Sequence, residues 1–174
     1  SVTAFAQSDI RLIDAVEKQD MPAFRAVLDQ RVNVNMVEAD GTTALHWAAH
    51  RNNIEMVNAL LEAGADVAAR NRYGVAPLSL AAVNGNADML KLLLDAGADP
   101  STSLAENETV LMTASRTGVV EAVQLLLEYG ADVNAKESWR GQTALMWAAG
   151  EGNLEVAQIL LDHGAEVQAR SDRG

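Results

Sequence analysis

A single segment, written four times, constrains this chain more than any other feature. Leu60-Leu61-Glu62-Ala63-Gly64-Ala65-Asp66 returns as Leu93-Leu94-Asp95-Ala96-Gly97-Ala98-Asp99. It returns again as Leu126-Leu127-Glu128-Tyr129-Gly130-Ala131-Asp132 and as Leu160-Leu161-Asp162-His163-Gly164-Ala165-Glu166. The glycines stand 33, 33 and 34 residues apart, and Leu45, Leu78, Leu111 and Leu145 keep the same step. One residue is inserted between the last two copies, near Ser138-Trp139-Arg140. Self-similarity at this period marks a stack of supersecondary units, none of which buries its own apolar face.

Each unit reads as two short helices. The first runs from about Thr43 to His50 and turns Leu45, Ala48 and Ala49 inward. The alanine pairs 48–49, 81–82 and 148–149 let a neighbouring helix approach closely. Asn53, Asn86 and Asn153 are placed to cap the second helix, with Glu55, Asp88, Glu121 and Glu155 at its positive end. Ile54, Val57, Leu60 and Leu61 form the one-sided apolar stripe of that helix. Gly64 and its counterparts stop it, and a turn-rich stretch such as Asn71-Arg72-Tyr73-Gly74 projects outward.

The expected architecture is therefore all-α, a solenoid of stacked helix–turn–helix units with projecting turns, over residues 7–174. Units fall at about 8–37, 38–70, 71–103, 104–137 and 138–170, with residues 171–174 opening another because Gly174 lies 33 after Gly141. The first unit carries Arg31 where later copies have glycine, and Arg11, Asp14, Glu17, Lys18 and Arg25 give it the wetter face of an N-terminal cap. Residues 1–6, with small Ala4 and Ala6 around Phe5, read either as the tail of a secretory signal peptide or as a polar terminus. The first reading puts the protein in the periplasm or outside the cell, the second leaves it cytoplasmic.

Gly41-Thr42-Thr43-Ala44-Leu45-His46-Trp47-Ala48-Ala49, together with the Gly-Ala-Asp helix ends, resembles the ankyrin-repeat family over residues 8–170. Alanine replaces that family's usual proline here, and the histidine position holds His46, Ser79, Met112 and Met146 in turn. The two methionines break or replace the hydrogen-bond network between units, and the fourth unit, with Asn107, Val110, Met112 and Ser115, is expected to be the least regular. The 139–149 stretch further resembles a group of exported bacterial ankyrin proteins of unassigned role. The resemblance implies L-shaped units, a concave groove of turn tips and first helices, and the binding of proteins.

Catalytic chemistry finds little support. His46 and His50 stand four apart on one helix, but no glutamate follows His46 and no third ligand is evident, which leaves a metal-dependent enzyme a distant alternative. Ser79, Thr113 and Ser115 have no histidine within helical reach, and the acids at 55, 88, 121 and 155 recur once per unit as structural charges do. No catalytic, cofactor or metal residue is assigned. Formal charge is −11, which disfavours a nucleic-acid partner, and no apolar run approaches the roughly 18 residues of a membrane span.

On the family's frame the partner-facing set includes Asp40, Thr42, His50 and Arg51, then Arg72, Tyr73, Val75, Val83 and Asn84. Further along it includes Glu106, Glu108, Arg116 and Thr117, then Trp139, Arg140, Gln142 and Glu151. Four of the ten arginines fall in this set, with Tyr73 and Trp139 beside two of them. Arginine and large aromatics dominate interface energetics. His50, Arg51, Arg72, Tyr73, Arg116, Trp139, Arg140 and Gln142 are the resulting partner-binding candidates, on a monomer whose protein partner carries acidic elements. The bland alternatives are solvated turn arginines, and Trp47 and Trp147 as apolar filler between first helices. A structural spacer within a longer array is the rival function.

Overall fold

A computed structural model describes the backbone of residues 2–172 and the side chains of residues 10–172. Among them are ten α-helices in five pairs: α1 (Val2–Glu17) with α2 (Met21–Leu28), α3 (Ala44–His50) with α4 (Ile54–Glu62), and α5 (Pro77–Asn84) with α6 (Ala87–Asp95). α7 (Val110–Thr117) pairs with α8 (Val120–Glu128), and α9 (Ala144–Glu151) with α10 (Leu154–Asp162). The first helices stack side by side, α1 on α3, α3 on α5, α5 on α7 and α7 on α9. The second helices form a parallel layer in which α8 touches both α6 and α10. No β-strand is present among the described residues; single bridges, Val37 to Thr43 and Ser103 to Thr109, close two of the projecting turns.

Local chemistry explains where the helices begin and end. Thr43, Thr109 and Thr143 each accept a hydrogen bond from the backbone N–H three residues on, opening α3, α7 and α9. Asn53 and Asn86 do the same for α4 and α6 at 3.1 and 2.9 Å. Asn153 does not. Its amide turns back instead to donate to the carbonyls of Ser115 and Arg116 at 2.9 and 3.1 Å, capping the end of α7 one unit earlier. Asn84 serves α3 in the same way through the carbonyls of Ala49 and His50.

The stacking surfaces are almost sealed. Leu45, Ala48, Ala49, Leu78, Ala81, Ala82, Leu111 and Ala114 are buried between first helices, and Val57, Leu60, Leu90, Leu93, Val123 and Leu126 between second helices. One expected core residue is displaced. Ile54 is 36% exposed, and Met56 fills the interior beside Val57 and Leu60. On the last pair Ala149 is exposed, since no later helix of the described residues packs on it. α1 begins at Val2, so the backbone of the Ala4-Phe5-Ala6 segment is helical and continuous with the first pair. Ser1, the side chains of that segment, and Arg173 and Gly174 lie outside the described residues.

Hydrogen bonding between units is uneven, as the changing histidine position suggests. His46 Nδ1 accepts from the Thr43 backbone N–H at 3.2 Å, which leaves its Nε2–H to donate to the Val75 carbonyl at 2.9 Å in the next unit. The equivalent Ser79 hydroxyl is buried with no partner, and Met112 offers only its sulfur to the Thr109 N–H at 3.4 Å. In the fourth unit both helices are regular; the irregularity sits in its turn, where a 3-10 turn (Ala105–Asn107) holds Glu106 and Asn107 at φ 62° and 60°.

Burial holds the His46 pKa below the ordinary histidine value, against the opposing pull of the Val75 carbonyl and Asp40. A histidine kept neutral by folding contributes stability that is present above the unfolded pKa and lost as pH falls below it. Urea melts should therefore show stability declining as pH drops below about 6.5, with that component absent in His46→Gln; equal pH profiles for the two proteins would refute the assignment. Arg31, at φ 53°, takes the left-handed conformation that Gly64, Gly97, Gly130 and Gly164 hold in later units. Because that conformation costs a non-glycine residue roughly 1–2 kcal/mol, offset in part by glycine's freer unfolded chain, Arg31→Gly should raise the unfolding free energy by up to about 1 kcal/mol.

Candidate protein-binding face

The projecting turns are built on one plan, with the backbone N–H at positions 38, 71, 104 and 137 donating to the carbonyl that closes the turn: Glu38 to Thr42, Asn71 to Val75, Leu104 to Glu108, and Glu137 to Gln142. In the third unit the Asn71 side-chain oxygen also accepts from the N–H groups of Tyr73 and Val75 at 3.0 and 3.1 Å. The fifth unit's turn is one residue longer, and a longer residue spans it. Glu137 accepts from Trp139 N at 2.5 Å, Arg140 N at 2.9 Å and Gln142 N at 2.9 Å, gathering the whole tip around one carboxylate. Burial would raise its pKa, but the N–H groups of Gln142, Trp139 and Arg140, with the Arg140 charge, outweigh that and hold it below the ordinary glutamate value. Glu137 was not among the candidates read from the sequence. The signal was its register with Asn71, next to the insertion.

Neighbouring tips are tied backbone to backbone. Arg72 N donates to the Asp40 carbonyl at 2.8 Å, Ser138 N to Glu106 at 2.6 Å, and Asp172 N to Arg140 at 2.7 Å. At the bases of the third and fourth tips the link is a side chain: Arg70 Nη1 reaches the Ser103 carbonyl at 2.8 Å. These ties set the spacing of the side chains the tips display.

All four candidate arginines lie over aromatic rings. Arg51 stands 5.7 Å from the centroid of Trp47, Arg72 5.2 Å from Tyr73, Arg116 5.7 Å from Trp147, and Arg140 3.8 Å from Trp139. The Arg116–Trp147 pair crosses from one unit to the next. Tyr73 and Trp139 are about three-fifths exposed, at 61% and 63%. Such pairs hold a guanidinium in place while its outer edge stays free for a partner. Trp47 and Trp147 are half-buried: each ring packs against the core and also carries an arginine. Trp47 Nε1 donates to Glu38 at 2.8 Å, anchoring the second unit's tip to its first helix.

Half of the candidates lie in two hollows of the surface. His50, with its ring 5.9 Å from Trp47, joins His46, Trp47 and Leu80 around a hollow of about 260 Å³ between the second and third units. The N–H and hydroxyl of Thr42 hold the adjacent Asp40 carboxyl below its ordinary value, with the Arg72 charge adding to the effect. Trp139, Arg140 and Gln142 line a second cleft of about 390 Å³ with Glu106, Glu108, Trp147 and Gly150. Arg51, Arg72, Tyr73 and Arg116 line neither, and stand on an outer tip or at helix ends. Both ring nitrogens of His46 are engaged within the fold, and no group of three or more His, Cys, Asp or Glu among the described residues is placed to hold a metal.

Similarity to known proteins agrees with this plan. A family model described as ankyrin repeats (3 copies) matches residues 12–104 and 80–171. A 35-residue stretch is 60% identical to the cell division cycle-related protein res1/sct1 of Schizosaccharomyces pombe, covering 20% of this chain and 6% of that one. The potassium channel AKT1 of Oryza sativa subsp. indica is 42% identical over 53 residues, 30% of this chain and 6% of the channel. The uveal autoantigen with coiled-coil domains and ankyrin repeats of Mus musculus is 35% identical over 63 residues, 36% of this chain and 4% of that protein. The chain thus spans only a small part of the length of these relatives.

Replacing Glu137 by alanine strips three tip N–H groups of their shared acceptor, and hydrogen bonds to a charged group contribute roughly 1.5–3 kcal/mol each at most when buried. Glu137→Ala should lower the unfolding free energy by about 2 kcal/mol, with Glu137→Gln intermediate. An alanine variant as stable as the parent in urea would show that the tip does not depend on this carboxylate.

Proposed function

Because this chain belongs to the ankyrin-repeat family, we propose that it is a protein-interaction module whose tip-and-first-helix face holds a partner protein. Family membership brings the general expectation of a binding domain without an enzyme's active site. The observation particular to this chain is the row of four arginine–aromatic pairs along one face. The fold needs none of the exposed members, Arg72, Tyr73 and Trp139, for its core, and exposed aromatic–arginine sets of this kind serve as interface anchors.

The partner meets the face as a monomer's groove would require, by laying an extended edge across the tips. Its acidic elements lie opposite Arg51 and Arg72, whose guanidinium groups make no ion pair among the salt bridges of the described residues. The spacer reading has no such use for exposed rings. On the secretory reading of residues 1–6 the partner is found in the periplasm or outside the cell.

Affinity capture from a periplasmic or secreted fraction, followed by identification of the bound protein, tests the proposal. Arg72→Ala, Tyr73→Ala and Trp139→Ala should each leave the melting temperature within a few degrees of the parent's, as surface changes usually do, and the triple variant should lose the partner. Retention by the triple variant would eliminate this face as the binding site.

A further inference from the structure

The cleft between the fourth and fifth tips is lined in part by a glycine the fold does not require. Gly150 lies within α9, at the register held by His50, Val83 and Arg116 in the three preceding first helices. A β-carbon added to it would meet nothing within 4 Å, whereas one on Gly118 would run into Asn153 at 2.8 Å. Gly150 has no left-handed backbone either; the helix ends two residues later at Gly152, at φ 75°. A glycine inside a helix destabilises it relative to alanine. What its missing side chain supplies is open floor in a cleft of about 390 Å³.

Met146, Trp139 and Trp147 wall that floor with apolar surface, and Glu106, Glu108 and Glu151 stand around it. Glu108 accepts from the Thr113 hydroxyl at 3.0 Å, and none of the three carboxylates belongs to an ion pair of the described residues. Of the nearby arginines, Arg140 lines the cleft with its guanidinium over Trp139, and Arg116 lies over Trp147. The two ring faces best suited to a planar guanidinium are thus already taken. Separate carboxylates above an apolar floor suit a compact ammonium on a flexible methylene stem. The chain's charge of −11 favours the approach of a basic segment.

We infer that this cleft receives a lysine side chain from a basic segment of the partner protein, its methylenes over Gly150 and Met146 and its ammonium among Glu106, Glu108 and Glu151. This rests on the reading of the same face as a protein-binding surface. With acidic elements met by Arg51 and Arg72, it gives the partner a polarity: acidic toward the second and third units, basic toward the fourth and fifth.

The test is a nuclear magnetic resonance titration of the whole chain with acetyl-Gly-Gly-Lys-Gly-Gly-amide, and with the same peptide carrying norleucine or glutamate in place of lysine. The lysine peptide should shift the Gly150 amide and the Trp139 and Trp147 indole signals saturably, with a dissociation constant in the millimolar range or below. The other two peptides should leave them unmoved. Gly150→Leu should melt no lower than the parent and abolish the indole shifts; Glu106→Gln with Glu151→Gln should fold normally and weaken binding at least tenfold. Equal shifts from the norleucine or glutamate peptide, no saturation with lysine, or undiminished binding by Gly150→Leu would each overturn the inference. So would unfolding of Gly150→Leu, since the glycine would then be structural. If partner capture still depends on Arg72 and Tyr73 while the lysine peptide is silent, only the inference falls and the interaction module stands.

Discussion

An isolated helix pair from this chain would present too much apolar surface to cover itself, and everything else in the molecule follows from how adjacent pairs cover one another. The contact is made close by alanines: Ala48, Ala49, Ala81, Ala82 and Ala114 are fully buried where first helix meets first helix. Small side chains bring the backbones near enough for Asn84 and Asn153 to reach the terminal carbonyls of the preceding first helix. Packing and polar satisfaction are therefore coupled, since the same close approach that excludes water also supplies the bonds the helix ends would otherwise lose.

Stacking at a fixed interval has a consequence for the projecting turns. They are carried out of the core at a regular pitch, and hydrogen bonds between tips, backbone to backbone or through Arg70, keep them in step. A face of this kind is rigid without being buried, which is what a binding surface needs if its side chains are not to lose freedom on meeting a partner. The arginines lying over aromatic rings extend the same economy of motion to the longest side chains on the face. The fifth turn shows how the pattern tolerates change: an inserted residue is absorbed because Glu137, longer than Asn71 and with two acceptor oxygens, reaches one N–H more.

Much of this is legible in the sequence alone. Helix positions follow from caps and stops, and the arginines and aromatics of the proposed binding face are drawn from the register of the repeat. Where the reading slipped, a neighbour in space was responsible. Asn153 looks like a helix cap because its local sequence matches Asn53 and Asn86, yet the carbonyls of Ser115 and Arg116 compete for its amide. Ile54 looks like the start of an apolar stripe, but in the stack Met56 takes the interior and Ile54 stays at the surface. Glu137 is not singled out by the sequence because nothing in its own stretch announces that it is 5% exposed.

By itself the sequence determined the repeat, its period, the two-helix unit and the family, because these depend on local propensity and on a spacing that repeats along the chain. Tertiary structure alone decided which ring each arginine covers, since Arg116 meets Trp147 in the next unit, and where a cleft opens, since Gly150 matters only when Trp139 and Glu106 of two different tips stand over it. The division has a physical cause. Helix formation is settled within a few residues, whereas a binding face is assembled from side chains about one repeat apart in sequence, whose meeting depends on the pitch at which buried alanines allow the units to stack.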